Sequence, residues 1–225
     1  MTHVGVVVYP GTNCEHDVVE ALEAVGASCE LVWHTGTDLS RCDAVVLPGG
    51  FAHGDYLRPG AIARFSPATA AVAAFARDGG PVLGICNGFQ VLTEAGLLPG
   101  ALQKNRGLTF LCQPVDLRVE TTRSALTGES AQGQVLRIPI NHFEGNYTCS
   151  AATLAELRDG DRVVLRYVDN PNGSVDDIAG ICNEGGNVVG LMPHPERASH
   201  PLLGSTDGVV LLQSFVRARW LATSG

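Results

Sequence analysis

The sequence lacks clustered basic residues. It contains 15 lysines and arginines against 23 aspartates and glutamates, a formal net charge of −8 at pH 7. Nucleic-acid binding depends on clustered lysine and arginine side chains that neutralise phosphates. The charge balance therefore argues against a nucleic-acid partner.

Long apolar runs and an export signal are also missing. No apolar run in the sequence approaches the about 20 residues that span a bilayer. The first four residues, Met1 to Val4, lead directly into an apolar stretch without the charged segment and cleavage site of a signal peptide. These absences predict a cytoplasmic protein without a membrane anchor.

The seven cysteines form no recognisable pattern. Their number is odd, and no two of them have the C-x-x-C spacing. Neither a disulfide framework nor a zinc ribbon is indicated, so we expect free thiols in a reducing compartment and no metal site.

Short apolar strands alternate with helical patterns along the chain. This alternation predicts an α/β fold: a doubly wound, mainly parallel sheet with helices on both faces. The more alternating pattern from residue 110 to about 168 predicts an antiparallel excursion, and residues 178–182 and 188–192 predict a hairpin. Without a linker or repeat, we expect one domain over residues 1–225. The other strands are expected at 4–9, 29–33, 44–47 and 81–85, and helices from 17, at 68–77, at 87–95 and from about 205 to 222.

The strongest local signal is the pentapeptide Gly84-Ile85-Cys86-Asn87-Gly88. It has the spacing of the nucleophile elbow G-x-S-x-G, with cysteine as the nucleophile. The turn places Cys86 at a helix N-terminus, where the helix dipole favours a negatively charged sulfur. The alternative is a buried structural cysteine in a glycine-rich turn.

His194 and Glu196 are the candidate partners of Cys86. A nucleophilic thiol needs a base, and the base needs a third group to hold its tautomer. The flanking Pro193 and Pro195 are expected to keep the segment extended, with both side chains on one side. The H-x-E pattern also occurs in zinc deaminases, but their downstream cysteines are absent, because no cysteine follows Cys182.

An oxyanion hole requires two backbone N–H groups near the nucleophile. Asn87 follows Cys86 directly and offers the first donor. The loop Pro48-Gly49-Gly50-Phe51 follows a neighbouring predicted strand and offers the second. The alternative for this loop is a plain turn.

Three motifs in one order carry a family resemblance: P-G-G-F, G-x-C-x-G-x-Q and H-P-E. With them the chain resembles the class I (triad) glutamine amidotransferases from end to end. The resemblance implies that Cys86 attacks the side-chain carbonyl of glutamine and that His194 protonates the departing ammonia. The resulting thioester is hydrolysed to glutamate. The resemblance also places Gly50 and Asn87 at the oxyanion hole. The substrate contacts that it implies for the glutamine pocket are Gln90, Phe51, Asn105 and Phe110.

Longer motifs are similar to one branch of that family, the glutaminase subunits of an ATP-dependent synthetase of de novo purine biosynthesis. The resemblance implies a large synthetase subunit that uses ATP and Mg²⁺ to convert formylglycinamide ribonucleotide to the amidine, and a small third subunit. It implies no cofactor in this chain. His16, Asp55, Arg58 and residues 171–174 are polar loop features expected near the interface. The motifs are Pro10-Gly11-Thr12-Asn13-Cys14, residues 50–58 and residues 192–197.

Three other functions remain open on the sequence alone. The chain could be the glutaminase of a different amidotransferase, a cysteine hydrolase of the same architecture acting on peptides or aldehydes, or a subunit that keeps the elbow only as a binding scaffold. A thioester selective for glutamine would exclude the hydrolase, and any turnover would exclude the scaffold.

Overall fold

The computed structural model of the protein describes residues 1–218, which form eleven strands and five α-helices. The strands are β1 (His3–Val8), β2 (Ser28–Trp33), β3 (Ala44–Leu47), β4 (Val82–Ile85), β5 (Ala101–Gln103), β6 (Leu111–Val119), β7 (Val135–His142), β8 (Asn146–Thr148), β9 (Val163–Tyr167), β10 (Ile178–Cys182) and β11 (Val188–Leu191). The helices are α1 (Glu15–Ala24), α2 (Pro67–Arg77), α3 (Asn87–Glu94), α4 (Ala151–Asp159) and α5 (Gly208–Arg217).

Nine of the strands form one mixed sheet in the order β2-β1-β3-β4-β11-β10-β9-β6-β7. The pairs from β2 to β11 are parallel, and those from β11 to β7 are antiparallel. The predicted parallel sheet, hairpin and antiparallel excursion are all present. The remaining strands, β5 and β8, form a separate antiparallel pair.

Helices cover the parallel half of the sheet on both faces. Strands β3, β4 and β11 are buried along their whole length, as their continuous apolar runs require. Helix α1 connects β1 to β2, and α2 connects β3 to β4 in the opposite direction along the sheet. Because such crossovers are right-handed, α1 and α2 lie on opposite faces. The carboxyl ends of the parallel strands stay uncovered, and this edge holds the site described below.

Two helices differ from the sequence expectation. Helix α4 lies inside the antiparallel excursion and is not predicted, because it is largely polar and Leu157 is its only buried residue. Helix α5 begins at Gly208 instead of about 205, because residues 201–203 form a 3₁₀ turn and Ser205 bridges to His200. Its expected continuation to 222 runs into residues 219–225, which lie outside the described residues.

No helix within residues 1–218 is long and apolar enough to cross a membrane. The expectation of one domain over residues 1–225 stays a prediction.

Candidate active site

Cys86 lies in a sharp turn between β4 and α3. Its backbone has φ 51° and ψ −105°, a strained conformation for a residue other than glycine. The turn is possible because its neighbours lack side chains: a Cβ on Gly88 would lie 1.9 Å from the carbonyl oxygen of Leu47. The two glycines therefore let the N-terminus of α3 approach the sheet, as the elbow motif predicts.

His194 reaches Cys86 because their strands are parallel neighbours. Leu191 pairs with Ile85 at the ends of β11 and β4, so the residues after both strands leave the sheet at the same edge. Gly49, after the adjacent β3, fills the space between them. A Cβ at Gly49 would lie 2.8 Å from Cε1 of His194 and 3.6 Å from Cβ of Cys86.

Glu196 accepts a hydrogen bond from the imidazole of His194. The distance from Nδ1 to Oε1 is 2.6 Å, and the two residues are only 1% and 2% exposed. A carboxylate can only accept, so the proton is assigned to Nδ1, which leaves Nε2 for the reaction. The expectation of an extended segment is wrong, because Pro195–Ala198 form a 3₁₀ turn in which the Arg197 N–H donates to the His194 carbonyl.

Burial and charge act in opposite directions on the imidazole. Burial lowers the pKa of His194, but the Glu196 carboxylate, followed by a negative charge on Cys86, raises it further than burial lowers it. The net result is a pKa above the ordinary value. The site therefore favours a protonated imidazole, which can stabilise a Cys86 thiolate and later deliver a proton.

The sulfur of Cys86 is only weakly held. It donates a long hydrogen bond of 3.7 Å to the carbonyl oxygen of Asn141. Nε2 of His194 makes no hydrogen bond of ordinary geometry to any described residue. Both reacting atoms are thus available to a substrate that enters between them.

A cavity of about 90 Å³ opens beside these two atoms. Its volume suits the amide end of a small side chain. Gly50, the expected oxyanion donor, and the expected substrate contacts Phe51 and Gln90 lie in its wall. The other lining residues are Asn13, Cys14, Asp55, Pro59, Cys86, Asn141, His142, Phe143, Glu144, His194 and Arg197.

The expected oxyanion donors lie on two segments joined by one side chain. Gly50 has φ 143°, which only glycine adopts readily. The backbone N–H groups of Gly50 and Asn87 donate to no acceptor within residues 1–218. The Asn87 side chain accepts from the Ala52 N–H at 3.0 Å and donates to Asp55 at 3.1 Å, so it ties the loop after Gly50 to α3.

Gln90 is fixed one turn into α3. Its side-chain oxygen accepts from Asn87 at 2.8 Å, and its Nε2 donates to the Glu144 carbonyl at 2.5 Å. The Gln90 amide therefore connects Asn87, on the α3 side of the cavity, to Glu144 on the other side. Burial raises the pKa of the nearby Asp55 to about 6.

Two expected substrate contacts lie outside the cavity wall. Asn105 is buried and donates to the carbonyls of Thr109 and His142 at 2.9 Å, so it supports the wall from behind. Phe110 is half exposed on the surface. The structure does not bring these two side chains to Cys86.

Sequence reasoning missed the part played by Cys14 and Arg197. The guanidinium of Arg197 donates to the Cys14 sulfur at 3.2 Å and to Asp17 at 3.1 Å. Burial, followed by the negative charge of Glu196, raises the pKa of Cys14 to about 12. Both residues lie in the motifs noted above, but nothing local in the sequence pairs positions so far apart.

Comparison with known families agrees with this geometry. The model of the CobB/CobQ-like glutamine amidotransferase domain matches residues 1–207. The elbow cysteine, the buried His–Glu pair and this match define a glutamine amidotransferase of the triad class.

Close relatives show to which family of glutamine amidotransferases the chain belongs. The chain is 60% identical to phosphoribosylformylglycinamidine synthase subunit PurQ of Rubrobacter xylanophilus, over 94% of this chain and 96% of the relative. It is 56% identical to PurQ of Koribacter versatilis, over 95% and 97%. A chain in the structure of PurLQS from Thermotoga maritima has a TM-score of 0.89 at 44% identity, over 96% of this chain and 97% of that one. The chain belongs to the PurQ family of glutamine amidotransferases, and the resemblance seen in the motifs is confirmed.

Proposed function

We propose that this chain hydrolyses glutamine to glutamate and ammonia and passes the ammonia to a synthetase subunit. That subunit would use it to convert formylglycinamide ribonucleotide to formylglycinamidine ribonucleotide with ATP. One observation carries the proposal: Cys86 on its elbow faces the buried pair His194 and Glu196 in a chain of the PurQ family.

The first half of the reaction forms a thioester. The Cys86 sulfur attacks the side-chain carbonyl carbon of glutamine, and the C–N bond breaks. Protonated His194 delivers a proton from Nε2 to the departing nitrogen, which leaves as ammonia. Glu196 keeps the ring oriented through Nδ1.

Negative charge develops on the carbonyl oxygen during this attack. The N–H groups of Gly50 and Asn87 are the donors that would stabilise it. Each such donor typically contributes about 3 kcal/mol to the transition state. The N-terminus of α3 adds its dipole in the same direction.

The second half releases glutamate. Water attacks the thioester, His194 accepts its proton, and the sulfur of Cys86 leaves as the thiolate. In our proposal Gln90 and Phe51 contact the glutamine, because both border the cavity. Asn105 would affect the glutamine only indirectly, by holding His142, which lines the cavity. Nothing in the geometry supports a substrate contact for Phe110.

The fate of ammonia requires a partner. The chain has no G-x-x-x-x-G-K-[ST] phosphate-binding sequence. ATP and Mg²⁺ would therefore belong to a large synthetase subunit, with a small third subunit in the same complex. The name PurLQS of the Thermotoga maritima structure supports this assembly.

The interface would lie beside the cavity mouth, where Asp55 borders the cavity. Arg58 is near this mouth and pairs with Glu94 at 2.5 Å. His16 and the 171–174 turn are further candidates. We propose a cytoplasmic location, which the seven free cysteines support.

Alkylation by a glutamine analogue tests the nucleophile. We expect 6-diazo-5-oxo-norleucine to give one adduct, mapped by mass spectrometry to Cys86, with faster reaction when the synthetase subunit is present. The exposed Cys112 is the internal control, because a nonspecific reagent would modify it first. No adduct on Cys86 with or without the partner would favour the scaffold alternative.

Substitution of the nucleophile tests the division of labour. In the assembled complex, we expect Cys86→Ala to abolish glutamine-dependent synthesis and to leave synthesis from free ammonia intact. Cys112→Ala should leave both rates unchanged. Loss of the ammonia-dependent rate in Cys86→Ala would contradict the proposed roles of the two subunits.

A further inference from the structure

Three possible metal ligands meet at His194. The sulfur of Cys14, a ring nitrogen of His194 and a carboxylate oxygen of Glu196 all lie within 4.8 Å of one another. All three residues are buried, with exposures of 3%, 1% and 2%. Donor atoms around a tetrahedral zinc ion are about 3–4 Å apart, so these three lie close to the spacing that one ion requires.

The donor set is selective in its chemistry. Sulfur, imidazole nitrogen and carboxylate oxygen together suit Zn²⁺ and similar transition-metal ions, and not Mg²⁺ or Ca²⁺, which prefer oxygen alone. One atom of this cluster also lacks a partner outside the proposed reaction. Oε2 of Glu196 is buried without a hydrogen bond to any described residue. A buried polar atom without a partner is costly, and a bound ion would remove that cost.

Two cavities border the cluster. One of about 660 Å³ borders it at Glu196 and has Asp17, Glu20 and His200 in its wall, and the cavity beside Cys86 borders it at Cys14 and His194. The acidic side chains attract a cation. The guanidinium of Arg197 opposes binding, because it donates to the Cys14 sulfur at 3.2 Å; an ion must displace it from the sulfur, while its bond to Asp17 at 3.1 Å can remain.

The geometry points to a second function for these residues: Cys14, His194 and Glu196 form an inhibitory site for a transition-metal ion of the Zn²⁺ type. On binding, the metal displaces the thiol proton of Cys14 and a ring proton of His194 to solvent, and it takes the imidazole lone pair that this frees. Nothing is oxidised or reduced. The ring can then no longer exchange a proton with the substrate, so hydrolysis stops until the ion leaves. The inhibitory part of the inference rests on the proposed role of His194, whereas the binding part does not.

Cobalt absorption tests binding without any use of activity. In a Cys86→Ser background, added Co²⁺ should give a thiolate-to-cobalt charge-transfer band and the visible bands of a tetrahedral ion. We expect both to disappear in Cys14→Ser and to persist in Cys182→Ser. Cys182 is the matched control, because it is equally buried but lies near Arg162 and Arg123. Absence of the bands in the background protein, or their persistence in Cys14→Ser, would overturn the site.

Inhibition by Zn²⁺ tests the consequence in the assembled complex. Each variant is compared with its own rate of glutamate release in the presence of a chelator. We expect the Zn²⁺ concentration for half inhibition to rise about tenfold or more in Cys14→Ser, since even outer-shell changes at metal sites weaken affinity about 10- to 100-fold. Cys182→Ser should match the unaltered chain.

Two results would count against the inhibitory role. Equal Zn²⁺ inhibition in Cys14→Ser would place the metal on Cys86 and His194 instead. A normal cobalt spectrum without any Zn²⁺ effect on glutamate release would retain the binding site and refute inhibition. If the chain released no glutamate at all, the proposed function would fail while the cobalt result still decided the binding site.

Discussion

The substitution Gly49→Ala places a methyl group between the two reacting side chains. The new Cβ would lie 2.8 Å from Cε1 of His194, 3.2 Å from the sulfur of Cys14 and 3.6 Å from Cβ of Cys86. Gly49 is not among the residues with a positive φ, so alanine suits its backbone. The strain therefore falls on the imidazole.

The size of the effect follows from this contact. Carbon atoms in contact are normally about 3.5–4.0 Å apart, so the ring must move by roughly 0.7 Å or more. A misplacement of about 1 Å can lower a rate about 100-fold. We expect kcat for glutamate release to fall roughly 10- to 100-fold. Overpacking of this kind also destabilises a fold by about 1–3 kcal/mol.

Gly5→Ala is the matched control. Gly5 lies in β1, and its added Cβ would lie 2.8 Å from the sulfur of Cys42, far from the elbow in the sheet. The assay measures kcat in the complex at saturating glutamine, together with Tm. Both variants should lose Tm, by roughly 2–4 °C for each kcal/mol, but only Gly49→Ala should lose kcat. A kcat of Gly49→Ala within about threefold of the unaltered chain, or an equal loss in Gly5→Ala, would refute the assigned position of the base.

Three further substitutions probe the same region. Glu196→Gln removes the charge that raises the pKa of His194, so an NMR titration should show a lower pKa for this histidine. The kcat of Glu196→Gln should fall less than that of His194→Ala, because an orienting residue contributes less than the base. Burial raises the pKa of Asp55 to about 6 from 3.8. The folded chain therefore binds this proton more tightly, and the group adds stability as the pH falls from about 6 to about 4. When the pH is lowered from about 7 to about 5, the Tm of Asp55→Asn should therefore rise less, or fall more, than the Tm of the unaltered chain. Gly88→Ala brings a Cβ within 1.9 Å of the Leu47 carbonyl, so we expect a large loss of Tm and of soluble yield.

Local patterns predict the parallel half of the fold well. Residues 44–47 are four apolar residues bounded by Pro48, and the strand has those bounds because both of its faces are buried. Helix α4 escapes prediction for the opposite reason. It buries only Leu157, so its residues show no apolar stripe, although Ser150 does cap it by accepting from the Thr153 N–H at 3.1 Å. Caps of this kind are visible in a sequence but occur in many loops as well.

In the candidate site, too, features set by consecutive residues can be predicted, and contacts between distant residues cannot. Cys86 and its glycines are consecutive, so the turn that presents the sulfur can be predicted from the pentapeptide alone. The contact of Cys14 with Arg197 cannot be predicted in that way, because it depends on how α1 packs against the turn after β11. Asn105 shows the converse case. The family resemblance implies a substrate contact for Asn105, yet its amide nitrogen already donates to two backbone carbonyls.

The sheet order has a consequence for the newly made chain. The proposed nucleophile follows β4, whereas its base follows β11, which pairs with β4 only after β10 has turned back along the sheet. A ribosome-bound chain of about the first 180 residues would already contain Cys86 but would not yet contain His194, its proposed base. Pairing of β11 with β10 and β4 is thus the folding step that brings the proposed base to the proposed nucleophile. Prematurely terminated chains would neither consume glutamine nor release ammonia, whatever the state of the rest of their fold.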